Sequence, residues 1–218
     1  MSSVIIRKAV AEDRDFIIKS IIEADKSNSG TSSYLGLFDM TEPELYNLFG
    51  KIFDEELEAC EFGHSGFAVV VDNGEVAASL TSWIEGSTGM PSWQIKSTAL
   101  FCTLPKANFE SLQQKLEKFS SINISRTIGA LQIETAFVEN NHRGKGYFVK
   151  LLNYHIDTAK ESGLEFDRIE MITYNSNKIA ENIYAKEGFI KVDSTVSEYL
   201  DILHYYPGTG MNLWIKNI

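Results

Sequence analysis

The spacing of apolar and polar residues divides this chain into short strands and helices. Clusters of β-branched and aromatic residues predict strands at residues 4–7, 66–71, 75–84, 130–138, 167–174, 189–196 and 211–215. Apolar residues that recur every three or four positions predict helices at residues 13–23, 41–57, 106–119, 144–160 and 177–186. Residues 26–34 are rich in Ser, Asn, Gly and Thr, which predicts a loop. This order of elements is typical of a mixed α/β fold, in which helices cover the faces of a mixed sheet.

Local signals mark some element boundaries. Thr41, Pro43 and Glu44 have the spacing of a helix N-cap, an early helical proline and the acidic member of a capping box. The tripeptide at residues 72–74, Asp-Asn-Gly, predicts a tight hairpin between two strands. With 218 residues the chain can bury a substantial core. We therefore expect a single domain over residues 1–218, with an inserted helical segment at about 86–127.

The net charge of the chain limits the classes of molecule that it is expected to bind. It has 20 Lys and Arg residues against 30 Asp and Glu residues, a formal net charge of -10. Such a charge repels phosphate backbones, so we expect no general binding to nucleic acid, and it favours cationic or amine-bearing molecules. Cys60 and Cys102 lack the spacing of a metal or redox motif, and we expect no metal.

The sequence also bears on location. No apolar run approaches the ~20 residues that span a bilayer. The first residues lack the basic and apolar regions of a signal peptide. We therefore expect a cytoplasmic protein without a membrane partner.

Residues 138–147, Val-Glu-Asn-Asn-His-Arg-Gly-Lys-Gly-Tyr, join a predicted strand to a predicted helix. Gly144 and Gly146 would let backbone N–H groups approach a ligand closely where the first N–H groups of the helix lack intrahelical partners. Arg143 and Lys145 add positive charge there. The segment predicts a phosphate or pyrophosphate site, although two glycines at this spacing are also typical of a plain tight turn.

The common nucleotide motifs do not fit this segment. A dinucleotide-binding Rossmann pattern needs a third small residue where Val149 stands. A P-loop needs Gly-Lys followed by Ser or Thr at a spacing that the segment lacks.

The strand, the run Arg143-Gly144-Lys145-Gly146 and the apolar helix after it resemble the acyl-CoA-binding motif of the GNAT superfamily of N-acyltransferases. Residues 177–189 are similar to a second block of that family, Asn-x-x-Ala-x-x-x-Tyr-x-x-x-Gly-Phe. The matching residues are Asn177, Ala180, Tyr184, Gly188 and Phe189. One predicted strand separates the two blocks, as in the family, and residues 206–211 resemble the family's last turn and strand.

The resemblance implies a fold and an activity. The fold is a central, mostly antiparallel sheet that is splayed at the acyl-CoA site, with helices on both faces. The activity is transfer of an acetyl (acyl) group from acetyl-CoA to a primary amine, by direct attack of the amine on the thioester.

The sequence departs from the family's Arg/Gln-x-x-Gly-x-Gly/Ala signature. Read from Asn141, both glycines fit but Asn replaces Arg or Gln; read from Arg143, the final small residue is Phe148. Since backbone N–H groups make these contacts, we expect binding to survive both changes. The segment at about 86–127 is long for the family, and it could cover the acceptor side, extend the fold, form a homodimer contact or only add packing.

The resemblance also implies roles for individual residues. Backbone groups near Phe137 and Val138 would bind the pantetheine arm, and Asn177 would contact the cofactor near the thioester. Tyr184 would lie beside the sulfur as a general acid, although a tyrosine at this spacing is otherwise typical of a core aromatic. The pyrophosphate would be held by the amides of Arg143, Gly144, Lys145, Gly146, Tyr147 and Phe148.

Glu134 is the best candidate for the general base, and a solvent-facing or salt-bridged glutamate is an equal alternative. His142 and His204 are weaker candidates, because one adjoins the phosphate loop and the other lies in a segment without a clear element. Strand alternation predicts two faces: Gln132, Glu134 and Ala136 on one, and Ile133, Thr135 and Phe137 on the other.

Two other functions stay open. A non-catalytic acyl-CoA-binding or interaction domain of the same fold would bind acetyl-CoA without acyl transfer. A nucleotide-binding α/β protein would be stabilised by ATP or NAD rather than by coenzyme A. The acceptor is not specified either: a small-molecule amine and a peptide amine both fit, because a fold alone does not fix a substrate.

Overall fold

The computed structural model describes residues 3–218. Within them, seven strands form one sheet in the order β1-β2-β3-β4-β5-β7-β6. Of the neighbouring pairs, β4 and β5 run parallel and the others antiparallel. The strands are β1 Val4–Lys8, β2 Phe67–Asp72, β3 Glu75–Ile84, β4 Leu131–Val138, β5 Arg168–Tyr174, β6 Ile190–Ser194 and β7 Met211–Asn217. The predicted mixed, mostly antiparallel sheet is confirmed.

Helices cover both faces of this sheet. They are α1 Arg14–Asp25, α2 Ser33–Phe38, α3 Glu42–Phe53, α4 Ser92–Thr103, α5 Lys106–Ile122, α6 Tyr147–Glu161 and α7 Lys178–Lys186. The inserted segment therefore holds two helices, α4 and α5, where the sequence predicted one. No helix within residues 3–218 has the length and apolar character needed to cross a bilayer.

The short helix α2 was not predicted, since residues 26–34 were expected to be a loop. Its N-terminal N–H groups find acceptors in two side chains. Ser32 Oγ accepts from Tyr34 N at 3.2 Å, and Asp25 Oδ2 accepts from Ser33 N at 2.6 Å. Leu37 and Phe38 then bury its C-terminal turn. Capping and burial together stabilise this six-residue helix.

Helix α6 begins at Tyr147, so the prediction that it begins at Gly144 was wrong. Gly144 and Gly146 have φ of +79° and +73°. A right-handed helix needs a negative φ at each residue. These two glycines therefore shape the turn before the helix.

Two apolar cores pack against the sheet. The first, here called the α1–α5 core, buries residues of α1 to α5, among them Ile17, Phe49 and Leu100. The second, the α6–α7 core, buries Leu151 of α6 and Tyr184 of α7 against strand residues. Fully burying one such large apolar side chain contributes about 1.5–3 kcal/mol, so both cores hold the strands between them firmly in place.

Strands β4 and β5 separate along their length. They pair only at Leu131 with Ile169 and at Gln132 with Glu170, near the start of each strand. A bulge in β4 accompanies this separation: the β3–β4 register shifts between Ser79 and Thr81, and Thr135 has a φ of +50°. The bulge bends β4 away from β5, which leaves the expected splay in the middle of the sheet.

Candidate functional site

A cleft of about 1510 Å³ passes through the splay. Residues 133–138 of β4 and residues 171–174 of β5 form its walls there. At one side, here called the loop end, it is lined by Arg143, Gly144, Gly146 and Asn177. At the other, the insertion end, it is lined by Glu61, by Lys96, by Arg126 and by apolar residues of α4 and α5. The cleft thus joins the phosphate loop predicted from the sequence to the inserted helices.

The loop end has the backbone geometry of an anion site. The first backbone hydrogen bond of α6 runs from Lys150 N to Gly146 O at 3.1 Å, so the N–H groups of its first turn have no intrahelical acceptor. A Cβ built on Gly144 or Gly146 would meet no heavy atom within 4 Å. This turn is therefore open to a ligand, and its N–H groups favour negative charge.

The side chains of the loop are held from behind by Asp72, at the end of β2. Tyr147 donates its hydroxyl to Asp72 Oδ2 at 2.6 Å, and Lys145 donates Nζ to the same oxygen at 2.8 Å. His142 Nδ1 lies 3.1 Å from it. Lys145 and Tyr147 together hold the pKa of Asp72 well below its usual range. The side chains of Lys145 and Tyr147 thus both donate to Asp72. The groups of these two residues that stay available to an anion are therefore their backbone N–H groups.

Arg143 is exposed, and its Nε donates to Val138 O at 3.3 Å. This contact ties the loop back to the end of β4.

Asn177 caps α7, a role that was not predicted from the sequence. Its Oδ1 accepts from Ala180 N and from Asn28 Nδ2, each at 3.1 Å. The residue also lines the cleft. Asn177 therefore fixes the start of α7, the helix that carries Tyr184.

Tyr184 is buried and lines the cleft between the two ends. Its ring packs 5.8 Å from the ring of Phe148 and 6.1 Å from that of Trp214. Among the described residues, no acceptor lies within hydrogen-bonding distance of its hydroxyl. Burial, and then the charge of Glu134, raise the pKa of Tyr184 above its usual range. The phenol therefore stays protonated near neutral pH and can donate a hydrogen bond into the cleft.

Glu134 lines the cleft on the wall formed by β4 and is salt-bridged. Its Oε1 accepts from Arg126 Nη2 at 2.5 Å, and Arg126 Nη1 donates to Gln132 Oε1 at 3.0 Å. Burial raises the pKa of Glu134, while the charge of Arg126 opposes this rise. The ion pair favours the carboxylate, the form that can accept a proton or bind an ammonium group.

A second, partly buried ion pair lies next to the first. Glu61 is 6% exposed and accepts a hydrogen bond from Lys96 of α4. Burial alone would raise the pKa of Glu61, but the charges of Lys96 and Arg126 hold it below its usual value. Lys96 and Arg126 both come from the inserted segment, so that segment supplies the cations at this end of the cleft.

The bulge at Thr135 overturns the predicted faces of β4. Ala136 packs in the α6–α7 core together with Ile133, whereas Phe137 contacts Phe16 of α1 at a ring distance of 5.8 Å. Ala136 therefore does not share a face with Glu134. The inserted residue reverses the alternation after position 134, so Glu134 and Phe137 lie on the same side.

Other features of the site were not found from the sequence. Asp25 lines the cleft and accepts from Ser33 N, from the hydroxyl of Ser32 at 2.5 Å and from that of Ser33 at 2.8 Å.

His204, a weak candidate base, is exposed and does not line the cleft. Within the part of the chain that the structure describes, no group of three or more His, Cys, Asp or Glu is arranged to hold a metal ion.

The splayed sheet, the open glycine turn before α6 and the cleft between them are the features of an acyltransferase of the GNAT type. The chain belongs to the acetyltransferase (GNAT) family, whose model matches residues 34–189. Members of this family use acetyl-CoA and act on amine acceptors such as peptides. The resemblance noted in the sequence is confirmed.

Solved structures show the same fold. An N-acetyltransferase from Staphylococcus aureus Mu50 superposes with a TM-score of 0.68 at 17% identity, over 97% of this chain and 100% of that one. Another acetyltransferase superposes with a TM-score of 0.61 at 18% identity, over 98% and 99%. A chain of the NatC complex, which was crystallised bound to Gag peptide and CoA, has a TM-score of 0.50 at 15% identity, over 99% of both chains. Among curated proteins, none matches this sequence.

Proposed function

We propose that this protein is a cytoplasmic N-acetyltransferase, one domain over residues 1–218, that transfers an acetyl group from acetyl-CoA to a primary amine. The carrying observation is the continuous cleft. It connects an anion-binding turn at the loop end with a carboxylate, Glu134, and a protonated phenol, Tyr184, in its interior.

The residues at the loop end fit coenzyme A. The turn at Gly144 and Gly146 leaves room where a Cβ would otherwise stand, and unpaired N–H groups of the first turn of α6 suit a diphosphate. Beyond Gln132, the edge of β4 that faces β5 has no strand partner. Backbone groups near Phe137 and Val138 on that edge would hydrogen-bond the pantetheine arm, and Asn177 would lie near its thioester end.

Acetyl-CoA, when bound, supplies a thioester whose carbonyl carbon an amine can attack directly. The protein must then take a proton from the amine and provide a hydrogen bond to the departing sulfur. Glu134 takes the proton, either directly or through a water molecule. Tyr184 donates to the sulfur, since its buried phenol keeps its proton near neutral pH.

The inserted helices form the acceptor side of the site. Lys96 lies on α4, and Arg126 follows α5; both hold carboxylates that line the cleft. The pair of Arg126 with Glu134 fixes the proposed base in one position. This contact supports a part for the insertion in the proposed reaction, beyond packing.

A thiol-release assay tests this function. Purified protein is incubated with acetyl-CoA and a mixed amine library, and free coenzyme A is measured with a thiol reagent. We expect thiol release that depends on both amine and protein, together with an acetylated product in the mass spectrum. Tight binding of coenzyme A without release for any amine would instead support the non-catalytic binding domain, and stabilisation by ATP or NAD but not by coenzyme A would support a nucleotide site.

A further inference from the structure

The insertion end of the cleft has an apolar wall. Its members come from α4 and α5 and are Leu100, Phe101, Phe109, Leu112, Leu116 and Phe119. The rings of Phe101 and Phe109 meet edge to face at 5.1 Å. Phe101 is nevertheless 65% exposed and Leu116 45% exposed. The fold thus leaves large apolar side chains uncovered on the side of the cleft away from the loop end.

Carboxylates outnumber cations at the same end. The lining includes four carboxylates, Asp25, Glu61, Glu85 and Glu134, against two cations, Lys96 and Arg126. A bound molecule therefore meets a net negative field beside the apolar wall. This imbalance favours a positively charged group.

Both cations already have partners. Lys96 is bound to Glu61, and Arg126 donates to Glu134 and to Gln132. A carboxylate on the acceptor would have to displace one of these glutamates and leave it buried without its cation, which is strongly unfavourable.

An ammonium group meets no such obstacle. Arg126 donates its hydrogen bond to Glu134 Oε1. Among the described residues, no donor lies within hydrogen-bonding distance of the other carboxylate oxygen, Oε2. That oxygen can accept a hydrogen bond from an ammonium group while the ion pair with Arg126 stays intact.

We infer, on the basis of the proposed function, that the acceptor is a monocationic primary amine that carries an apolar body about the size of an aromatic ring. Glu134 binds the amine, and the wall of α4 and α5 covers the apolar body. The site discriminates against amino acids, whose carboxylate finds no unpaired cation among the described residues of the insertion end. It also discriminates against small polar amines, which leave the apolar wall in water.

Three matched amines test this inference in the thiol-release assay. 2-Phenylethylamine has both features, phenylalanine adds a carboxylate to the same body, and ethylamine lacks the ring. We expect kcat/KM for 2-phenylethylamine to exceed that for ethylamine by about tenfold to a hundredfold, as burial of a phenyl-sized group predicts. It should exceed that for phenylalanine by at least about tenfold, because the carboxylate has no unpaired partner.

A binding measurement gives a readout that does not depend on turnover. Titration calorimetry of the protein loaded with coenzyme A should show tighter binding of 2-phenylethylamine than of phenylalanine or ethylamine. The variant Leu116→Gln, whose side chain is partly exposed and lines the wall, should weaken 2-phenylethylamine binding by about threefold to tenfold and leave ethylamine unchanged. The matched control is Leu164→Gln, at a leucine that is 49% exposed and lies outside the cleft.

The outcomes separate the two proposals. Thiol release with phenylalanine or ethylamine at an equal or higher kcat/KM would overturn the inference and leave the acetyltransferase intact. An effect of Leu164→Gln as large as that of Leu116→Gln would remove the apolar wall from recognition and overturn it as well. The absence of release with every amine would overturn the proposed function, and this inference with it.

Discussion

Gly146 and Gly163 lie at the two ends of α6 and have nearly the same backbone conformation. Their φ angles are +73° and +75°, and a Cβ built on either meets no heavy atom within 4 Å. Replacing either glycine with alanine therefore lowers the free energy of unfolding only by the energy of holding alanine in the left-handed conformation, about 1–2 kcal/mol. In a chain of this length that cost lowers Tm by roughly 2–8 °C, and we expect it to be similar for Gly146→Ala and Gly163→Ala.

The two variants should differ in their affinity for coenzyme A. A methyl group at residue 146 stands in the turn that we propose for the diphosphate, so the neighbouring N–H groups lose contact with the charged ligand. One hydrogen bond to a charged group contributes about 1.5–3 kcal/mol, which corresponds to a rise in Kd of roughly tenfold to more than a hundredfold. Gly163→Ala should leave Kd within about twofold, because residue 163 lies at the far end of the helix.

Titration calorimetry with coenzyme A, at one fixed ionic strength, measures both affinities, and thermal unfolding without ligand measures the two stabilities. A Kd for Gly146→Ala within about twofold of that of the unsubstituted protein would refute the assignment of the diphosphate to this turn. A Gly163→Ala protein that binds as weakly as Gly146→Ala would show that the loss comes from destabilisation of α6.

Three further predictions concern Tyr184, His155 and Arg126. Tyr184→Phe should lower kcat about tenfold or more with an unchanged Kd for coenzyme A, whereas Tyr154→Phe, outside the cleft, should not; normal turnover in Tyr184→Phe would remove the phenol from the reaction. Burial lowers the pKa of His155 from 6.5 to about 4, so the unfolded chain binds the proton first and about 3 kcal/mol of stability is lost as the pH falls from 6.5 to 4. Urea unfolding of His155→Gln should therefore depend less on pH in that range, and an identical slope would contradict the shift. Arg126→Gln removes the charge that opposes the raised pKa of Glu134, so the acid limb of the kcat/KM profile should move to higher pH; an unmoved limb would show that another group is the base.

The parts of the fold that follow from local sequence could be predicted. Hydrophobic periods of two and of 3.6 residues predicted the seven strands and the helices α1, α3, α5, α6 and α7. Thr41 with Glu44 marked the start of α3, where a capping box is present. Gly188 ends α7 with a φ of +84°, as its place after the last apolar residue suggested. These features depend on residues within one or two turns of each other.

The parts that depend on distant residues could not be predicted. Helix α2 is capped by Asp25, eight residues before Ser33, and Asp72 holds Tyr147 across 75 residues. The bulge at Thr135 is a backbone conformation that threonine rarely adopts, so the sequence offers no sign of it. This one residue reversed the predicted faces of β4 and put Phe137 on the side of Glu134.

The ion pairs of the site could not be predicted either, because they join residues that are distant in the sequence. The sequence indicated Glu134 as a candidate base but did not indicate its partner Arg126, which belongs to a segment whose role was left open. Lys96 reaches Glu61 across 35 residues. Tertiary contacts alone turn these four charges into one cluster beside the cleft.

The proposed function depends most directly on where coenzyme A binds, and a crystal structure of the complex would show that position. We expect the diphosphate to accept hydrogen bonds from backbone N–H groups of residues 143–148, and the pantetheine arm to lie along β4 in the splay, with its sulfur near Tyr184. Coenzyme A bound elsewhere, or this turn filled by a packed side chain, would contradict it.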